Sequence, residues 1–252
     1  MLIKIKEKFI NEKLKGTIVS KIIDKIRNKI IISCQASFGE PIYEENCLQS
    51  IIKSVINGEA SGLRLAGVKD IEETRKFSDI PIIGITKPDP LPANWKEVVY
   101  ITPTFEDAKK ISDAGADIIA IDGTSRKRPQ ENLAELIEKI HNELKKPVMV
   151  DCATVEEGLM CKLFGADIIS TTLSGYTQNT LEKNNGEPDF ELLKNLVKVV
   201  YCPVILEGRI WTVEHAKKAF ELGAHSVVIG SAVTRPQLIT KRFVDSIRVF
   251  SG

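Results

Sequence analysis

The stretch Pro203-Val204-Ile205-Leu206-Glu207-Gly208-Arg209-Ile210 is a short apolar run that ends in a carboxylate, a glycine and an arginine. Downstream, Ser226-Val227-Val228-Ile229-Gly230-Ser231 repeats the pattern and ends in Gly-Ser, leading into Ala232-Val233-Thr234-Arg235-Pro236. Apolar runs this short, without polar alternation, suit strands buried on both faces of a parallel sheet. Between them, residues 212–222 carry apolar positions at helical spacing behind Thr212, a residue type that caps helix N-termini. Two such units, each closing on a glycine beside a polar or cationic group, are how the last strands of a (β/α)8 barrel build a phosphate site.

Upstream the same alternation continues. Strands are predicted at 29–35, 61–66, 81–87, 98–102, 117–122, 147–152, 167–172, 203–207 and 226–231, and helices at 44–57, 70–77, 105–115, 131–145, 154–164, 189–198, 212–222 and 236–248. That is one strand more than a closed barrel needs. Pro88, Pro90 and Pro92 leave no room for a crossover helix before 98–102, so this run is expected to be an accessory strand outside the barrel. Gly115, Gly165 and Gly223 each precede an Ala and a strand, where glycine caps a helix in a left-handed conformation. Thr104, Thr154 and Thr212 are expected as N-caps. The polar segment 176–188 is expected to be a long, irregular, mobile loop over the site.

Composition narrows the functional classes. The 252 residues, 43% hydrophobic, suit one barrel domain with an N-terminal helical extension over residues 1–28, where 2–14 and 18–28 have helical spacing and are expected to pack on the barrel's bottom end. With 35 basic against 34 acidic residues, no global field steers the chain to nucleic acid or an anionic membrane, so a small molecule is the expected partner. Five cysteines, Cys34, Cys47, Cys152, Cys161 and Cys202, show no C-x-x-C spacing, which argues against a disulfide framework or a zinc cluster and points to a reducing cytoplasm. The N-terminus lacks a signal-peptide core, and no apolar stretch approaches the roughly 18 residues of a membrane span.

Catalytic groups of a parallel barrel project from the C-terminal strand ends. There the chain places Gln35, Arg64, Lys87, Asp122, Asp151, Thr171, Thr172, Glu207 and Arg209. Lys87 and Glu207, on the third and seventh strands, face each other across an eight-stranded ring. A lysine base must be neutral, which from its ordinary pKa costs roughly 4.6 kcal/mol at pH 7 unless the site lowers it. Arg64 is a like charge that would lower it. The alternative is that Lys87 pairs with Asp151 or Glu207 in an ordinary ion-pair network. Gly208, Arg209, Gly230 and Ser231 form a candidate phosphate cradle, the alternative being glycines that merely end strands. His141, His215 and His225 fall away from the predicted mouth, and the cysteines read as wall residues with no histidine to activate them.

At these positions the sequence resembles the N-acetylmannosamine-6-phosphate 2-epimerase family. The resemblance rests on Cys34-Gln35-Ala36 with Gly39-Glu40-Pro41, on Gly84-Ile85-Thr86-Lys87, on Ile101-Thr102-Pro103-Thr104 and on Gly115-Ala116-Asp117-Ile118-Ile119-Ala120. It continues through Thr171-Thr172-Leu173-Ser174-Gly175-Tyr176-Thr177, Glu207-Gly208-Arg209-Ile210 and Gly230-Ser231-Ala232-Val233-Thr234-Arg235-Pro236, so it runs from about residue 30 to 244. It implies a cofactor-independent (β/α)8 barrel without a metal, interconverting N-acetylmannosamine 6-phosphate and N-acetylglucosamine 6-phosphate in sialic-acid catabolism. It further implies Lys87 as catalytic acid/base with Glu207 as its partner. Gln35, Arg64, Asp151 and Thr172 would be sugar ligands, and Gly208, Arg209, Gly230 and Ser231 would hold the phosphate. A homodimer, and exchange of the last helix between subunits, are left open. The chain departs from the family pattern at Leu65-Ala66-Gly67, at Pro88-Asp89-Pro90 and at Asp122-Gly123-Thr124, where DAT is usual. Rival readings are another phosphate-binding barrel isomerase or lyase, a Schiff-base aldolase using Lys87, and a non-catalytic barrel subunit.

Overall fold

The computed structural model describes residues 21–44 and 46–250. Among them, eight parallel strands close a barrel in chain order. They are β1 (Lys29–Cys34), β2 (Gly62–Ala66), β3 (Ile82–Ile85), β4 (Ile118–Asp122), β5 (Val148–Asp151), β6 (Ile168–Ser170), β7 (Val204–Glu207) and β8 (Ser226–Ile229). β1 pairs with β8, Ile31 opposite Val228, and so completes the ring.

Successive strand residues point to opposite faces, so each strand feeds two cores. Ile31, Ile83, Ile118, Met149, Ile205 and Val228 pack together inside the barrel. Ile32, Leu65, Ile119, Val150, Leu206 and Val227 pack outward beneath the helices. Burial on both faces is why these strands read as continuous apolar runs.

The main helices are Cys47–Asn57, Val68–Arg75, Phe105–Asp113, Leu133–Lys139, Val155–Leu163, Phe190–Val199, Val213–Glu221 and Pro236–Ile247, close to the predicted spans. Thr104, Thr154 and Thr212 cap three of them, their hydroxyls accepting from the backbone N–H of Asp107, Glu157 and His215. Gly115, Gly165 and Gly223 adopt positive φ at the helix exits. Of the predicted 18–28 helix, the described residues are helical at 21–25 and form a turn at 26–28. Ile23 and Ile26 enter the interior cluster beside the strand starts, where His225 Nε2 lies 3.0 Å from the Ile23 carbonyl. The predicted 2–14 helix lies outside the described residues.

Three expectations need correction. Residues 98–102 are not an accessory strand: the ladder contact there is one bridge, Val98 with Lys127. Val99, Tyr100, Ile101 and Thr102 are consecutively buried, so the run lacks the alternation of a half-exposed strand and instead wedges between the ends of β3 and β4. Its groups bond to those ends, Thr102 N–H to the Thr86 carbonyl (3.0 Å) and Asp122 N–H to the Ile101 carbonyl (3.1 Å). The eighth strand stops at Ile229, and Ser231–Thr234 form a short helix before Pro236–Ile247. Segment 176–188 is not irregular throughout, because Gln178–Lys183 form a 3-10 helix held by the buried hydroxyls of Thr177 and Thr180, 2.8 Å apart.

Candidate active site

The C-terminal ends of β1, β2, β3, β6, β7 and β8 surround a cavity of about 300 Å³. Gln35, Arg64, Lys87, Thr172, Glu207, Gly208, Arg209, Gly230 and Ser231 line it, with Tyr100, Tyr176, Trp211 and Arg235. Asp151 lies directly behind Arg64.

Arg64 organises this floor. Its guanidinium, 1% exposed, donates from Nη2 to Asp151 Oδ2 at 2.5 Å and from Nη1 to Asp151 Oδ1 at 3.1 Å. The same Nη1 donates to Glu207 Oε2. Thr172 Oγ1 stands between the carboxylates, 2.8 Å from Asp151 Oδ1 and 3.0 Å from Glu207 Oε2, with one proton to offer them. One buried cation thus serves two carboxylates. A buried charge is tolerated when paired and hydrogen-bonded, and Arg64 is both, although its Nε has no partner among the described residues. Burial raises the Glu207 pKa to about 7; Arg64 opposes that rise and Asp151 adds to it. Near neutrality Glu207 therefore both holds and releases a proton.

Lys87 stands across the cavity with no hydrogen bond or ion pair to any described residue, unlike the ion-pair alternative. Its pKa is lowered first by burial, then by the positive charges of Arg235 and Arg64, while Asp89 and Glu40 pull the other way. The lowering expected from Arg64 is present, but Arg235 ranks ahead of it. The backbone before Lys87 is clamped: Thr86 N–H donates to Thr102 Oγ1 at 3.0 Å. Thr102 itself holds φ +42, unusual for a β-branched residue and a form of local strain.

At β7 and β8 the chain opens onto the same cavity. Gly208 has φ +115 with nothing near a Cβ position, so the constraint there is conformational and the space above stays free. Arg209 also has positive φ, and its guanidinium turns sideways: Nε donates to the Glu187 carbonyl and Nη1 to the Ser174 carbonyl, each at 2.7 Å. The cation standing over the β8 end is instead Arg235, joined to Glu40 Oε1 at 2.7 Å and to the Gln35 carbonyl at 3.1 Å. Arg235 lay inside a quoted motif but was not among the candidate site residues.

Other candidates are placed elsewhere. Thr171 holds the β7 backbone, its hydroxyl donating to the Glu207 carbonyl and accepting from Glu207 N–H. Asp122 turns away from the cavity into Thr124 and Arg126. His141, His215 and His225 contact Asp167, Glu187 and Ile23, outside the cavity. All five cysteines are free, and burial holds the Cys34 and Cys161 thiols up at about 12.

Comparison with known proteins decides the family. The family model described as "Putative N-acetylmannosamine-6-phosphate epimerase" matches residues 48–249. The chain belongs to that family. A "Putative N-acetylmannosamine-6-phosphate 2-epimerase" of Clostridioides difficile (strain 630) is 42% identical over 230 residues, 90% of this chain and 100% of that one. One of Mycoplasma mycoides subsp. mycoides SC is 40% identical over 228 residues, 90% of this chain and 99% of that one. The solved structure of the N-acetylmannosamine-6-phosphate 2-epimerase from Clostridium perfringens superposes with TM-score 0.82 at 42% identity, over 88% of this chain and 95% of that chain. A tryptophan synthase alpha-subunit from Pyrococcus furiosus, at 15% identity and TM-score 0.58 over 83% of this chain and 89% of that one, shares the fold alone.

Within this epimerase family the departure at Asp122-Gly123-Thr124 has a steric basis. A Cβ on Gly123 would lie 2.0 Å from Val150 Cγ1 and 2.7 Å from Cys161 Sγ, so alanine fits there only after local repacking.

Proposed function

We propose that the chain interconverts N-acetylmannosamine 6-phosphate and N-acetylglucosamine 6-phosphate by removing and returning the C2 proton, as a cytoplasmic enzyme of sialic-acid catabolism. The observation that carries this reading is Lys87: half-buried, without an ion pair among the described residues, lowered in pKa, and facing the Arg64–Asp151–Glu207 centre across the cavity. Inversion at C2 requires the open-chain aldehyde, because only a neighbouring carbonyl makes the C2 hydrogen acidic. Glu207 assists ring opening by exchanging a proton with the sugar oxygens, for which a pKa near the working pH is best. Neutral Lys87 takes the C2 proton, and Arg64 is the cation available to the oxygen that gains negative charge. Lys87 and Glu207 are the two groups able to return a proton. Gln35 and Thr172 orient the sugar, while N–H groups of Gly208, Arg209, Gly230 and Ser231 hold the phosphate. Anchoring that remote group keeps a flexible open-chain sugar in reactive geometry.

Proton NMR in D2O tests the reading: epimerisation is accompanied by deuterium at C2, and Lys87→Ala lowers the rate by about 10³- to 10⁴-fold. Borohydride added during turnover leaves the protein mass unchanged, whereas a lysine adduct favours a Schiff-base aldolase.

The proposed assembly is a homodimer joined through the last helix. Helix Pro236–Ile247 has no buried residue, and Phe243 (73% exposed) and Ile247 (57% exposed) stand out from it. On the outer wall, Ile30 of β1 and Ile229 of β8 are only half-buried, so a second copy's helix finds apolar surface there. Light scattering distinguishes a dimer from a monomer, and Phe243→Glu shifts the chain toward monomer.

A further inference from the structure

A second chamber, of about 490 Å³, opens beside the catalytic cavity and shares Gln35 and Lys87 with it. Its remaining wall includes Ala36 after β1, Ala66 at the end of β2, and Leu48, Gln49 and Asp70 on the first turns of the helices that follow those two strands. None of these residues enters the proton-transfer scheme. Ala66, the last residue of β2, lines the chamber together with Lys87, and its short side chain takes up little of that space.

The direction of the substrate follows from the proposed chemistry. With the phosphate at the β7 and β8 ends and Lys87 at the β3 end, carbon 6 and carbon 2 lie on opposite sides of the mouth. The carbon from which Lys87 takes its proton also carries the acylated nitrogen. The nitrogen points to a different corner of that carbon from the hydrogen facing Lys87 but lies one bond from it, so the acyl group starts near the junction of the two cavities, and the larger one, beyond Lys87, offers it room. A two-carbon acetyl group leaves most of that chamber empty. Deeper in, the chamber presents acceptors. Gln49 Nε2 lies 3.5 Å from Asp70 Oδ1, a long contact, and the buried Gln49 Oε1 has no partner among the described residues. Burial also raises the Asp70 pKa, although the Lys69 charge and the Gln49 contact oppose the rise, so the carboxyl group gains from a further donor. A hydroxyl on the acyl group would supply one.

We infer that this chamber is an N-acyl subsite and that the enzyme accepts 2-acylamino-hexose 6-phosphates with acyl groups longer than acetyl, favouring those ending in a hydroxyl, such as N-glycolyl. The inference rests on the C2 chemistry proposed above. A tight pocket discriminates by ~10- to 200-fold per added methylene, whereas an unfilled one does not.

The test measures kcat/KM for N-acetyl-, N-propanoyl- and N-glycolylmannosamine 6-phosphate on the full chain. The N-propanoyl substrate is expected within about threefold of N-acetyl, and N-glycolyl about threefold or more above N-propanoyl, as a hydrogen bond to a ready acceptor gives. Ala66→Leu narrows the chamber and is expected to lower the propanoyl-to-acetyl ratio about tenfold. Asp70→Ala is expected to erase the preference for glycolyl over propanoyl. Thermal melts of both variants show that they fold. A wild-type enzyme that turns over N-acetyl but rejects N-propanoyl and N-glycolyl by a hundredfold overturns the subsite, as does a ratio unmoved by Ala66→Leu. Failure to turn over N-acetylmannosamine 6-phosphate at all overturns the activity itself, and the subsite with it.

Discussion

Asp122 and Asp151 are partners in the β4–β5 register, the same residue type at the same level of adjoining strands, each buried and each paired with an arginine. Their surroundings separate them. Asp122 accepts from Thr124 N–H at 2.9 Å, from the Thr124 hydroxyl at 2.6 Å and from Arg126 Nη2 at 2.5 Å, all within one turn of chain. Arg126 is in turn spent on the Trp95 carbonyl and the Tyr100 ring. Asp151 shares Arg64 with Glu207 and draws on Thr172 just past the end of β6, so its cluster spans β2, β5, β7 and the loop after β6 and opens on the cavity. A closed local cluster stabilises; a shared, open one is able to exchange protons.

Conservative changes at the two aspartates break or sustain this contrast. Asp151→Asn is expected to lower kcat/KM by about 10²- to 10³-fold, because Arg64 and Glu207 lose the charge that sets their balance. Asp122→Asn strands the buried Arg126, so it costs about 3 kcal/mol of stability while kcat of the folded protein stays within about fivefold. Steady-state kinetics beside chemical denaturation separate these outcomes. Equal kinetic losses at both positions would remove the distinction.

The barrel was legible because burial on both faces writes strands as apolar runs, and because threonine caps and glycine exits punctuate the helices. Asp151 and Glu207 were legible for the same reason, each a carboxylate closing an apolar run, and Lys87 stands two residues beyond one, whereas Arg64 lies inside β2 between Leu63 and Leu65, where its signal is a charge interrupting a buried run. Residues 98–102 were not. Val99, Tyr100 and Ile101 have a strand's composition, but their burial comes from the ends of β3 and β4, a tertiary fact that no local pattern carries. Arg235 and Arg209 show the other limit. A motif locates a guanidinium along the chain, but its long side chain chooses partners in space, here Glu40 for one and two loop carbonyls for the other.

The open cluster also predicts a pH signature. The Glu207 pKa is raised from its ordinary 4.5 to about 7, so the folded state holds this proton more tightly than the unfolded chain. The resulting stabilisation is fully present below about pH 4.5 and is lost as pH rises through about 7. Glu207→Gln removes the titration, and its melting temperature relative to wild type should climb between pH 5 and 8. A constant difference over that range would mean that Glu207 is already ionised in the folded protein at pH 5.

The smallest expected effect concerns Arg235, which tests how far the open cluster's electrostatics reach across the cavity. Because the Arg235 charge helps to lower the Lys87 pKa and Glu40 opposes it, Arg235→Gln removes the first influence and leaves Glu40 unneutralised. Both changes favour the charged lysine. The rising limb of kcat/KM against pH should therefore move to higher pH. Arg235→Lys retains the charge but not the fork that grips Glu40 and the Gln35 carbonyl, so it should leave the limb in place while raising KM. If both variants move the limb equally, the arginine acts by holding the loop after β1, and charge is not what prepares Lys87. If neither moves it, burial and Arg64 alone account for the lysine's lowered basicity.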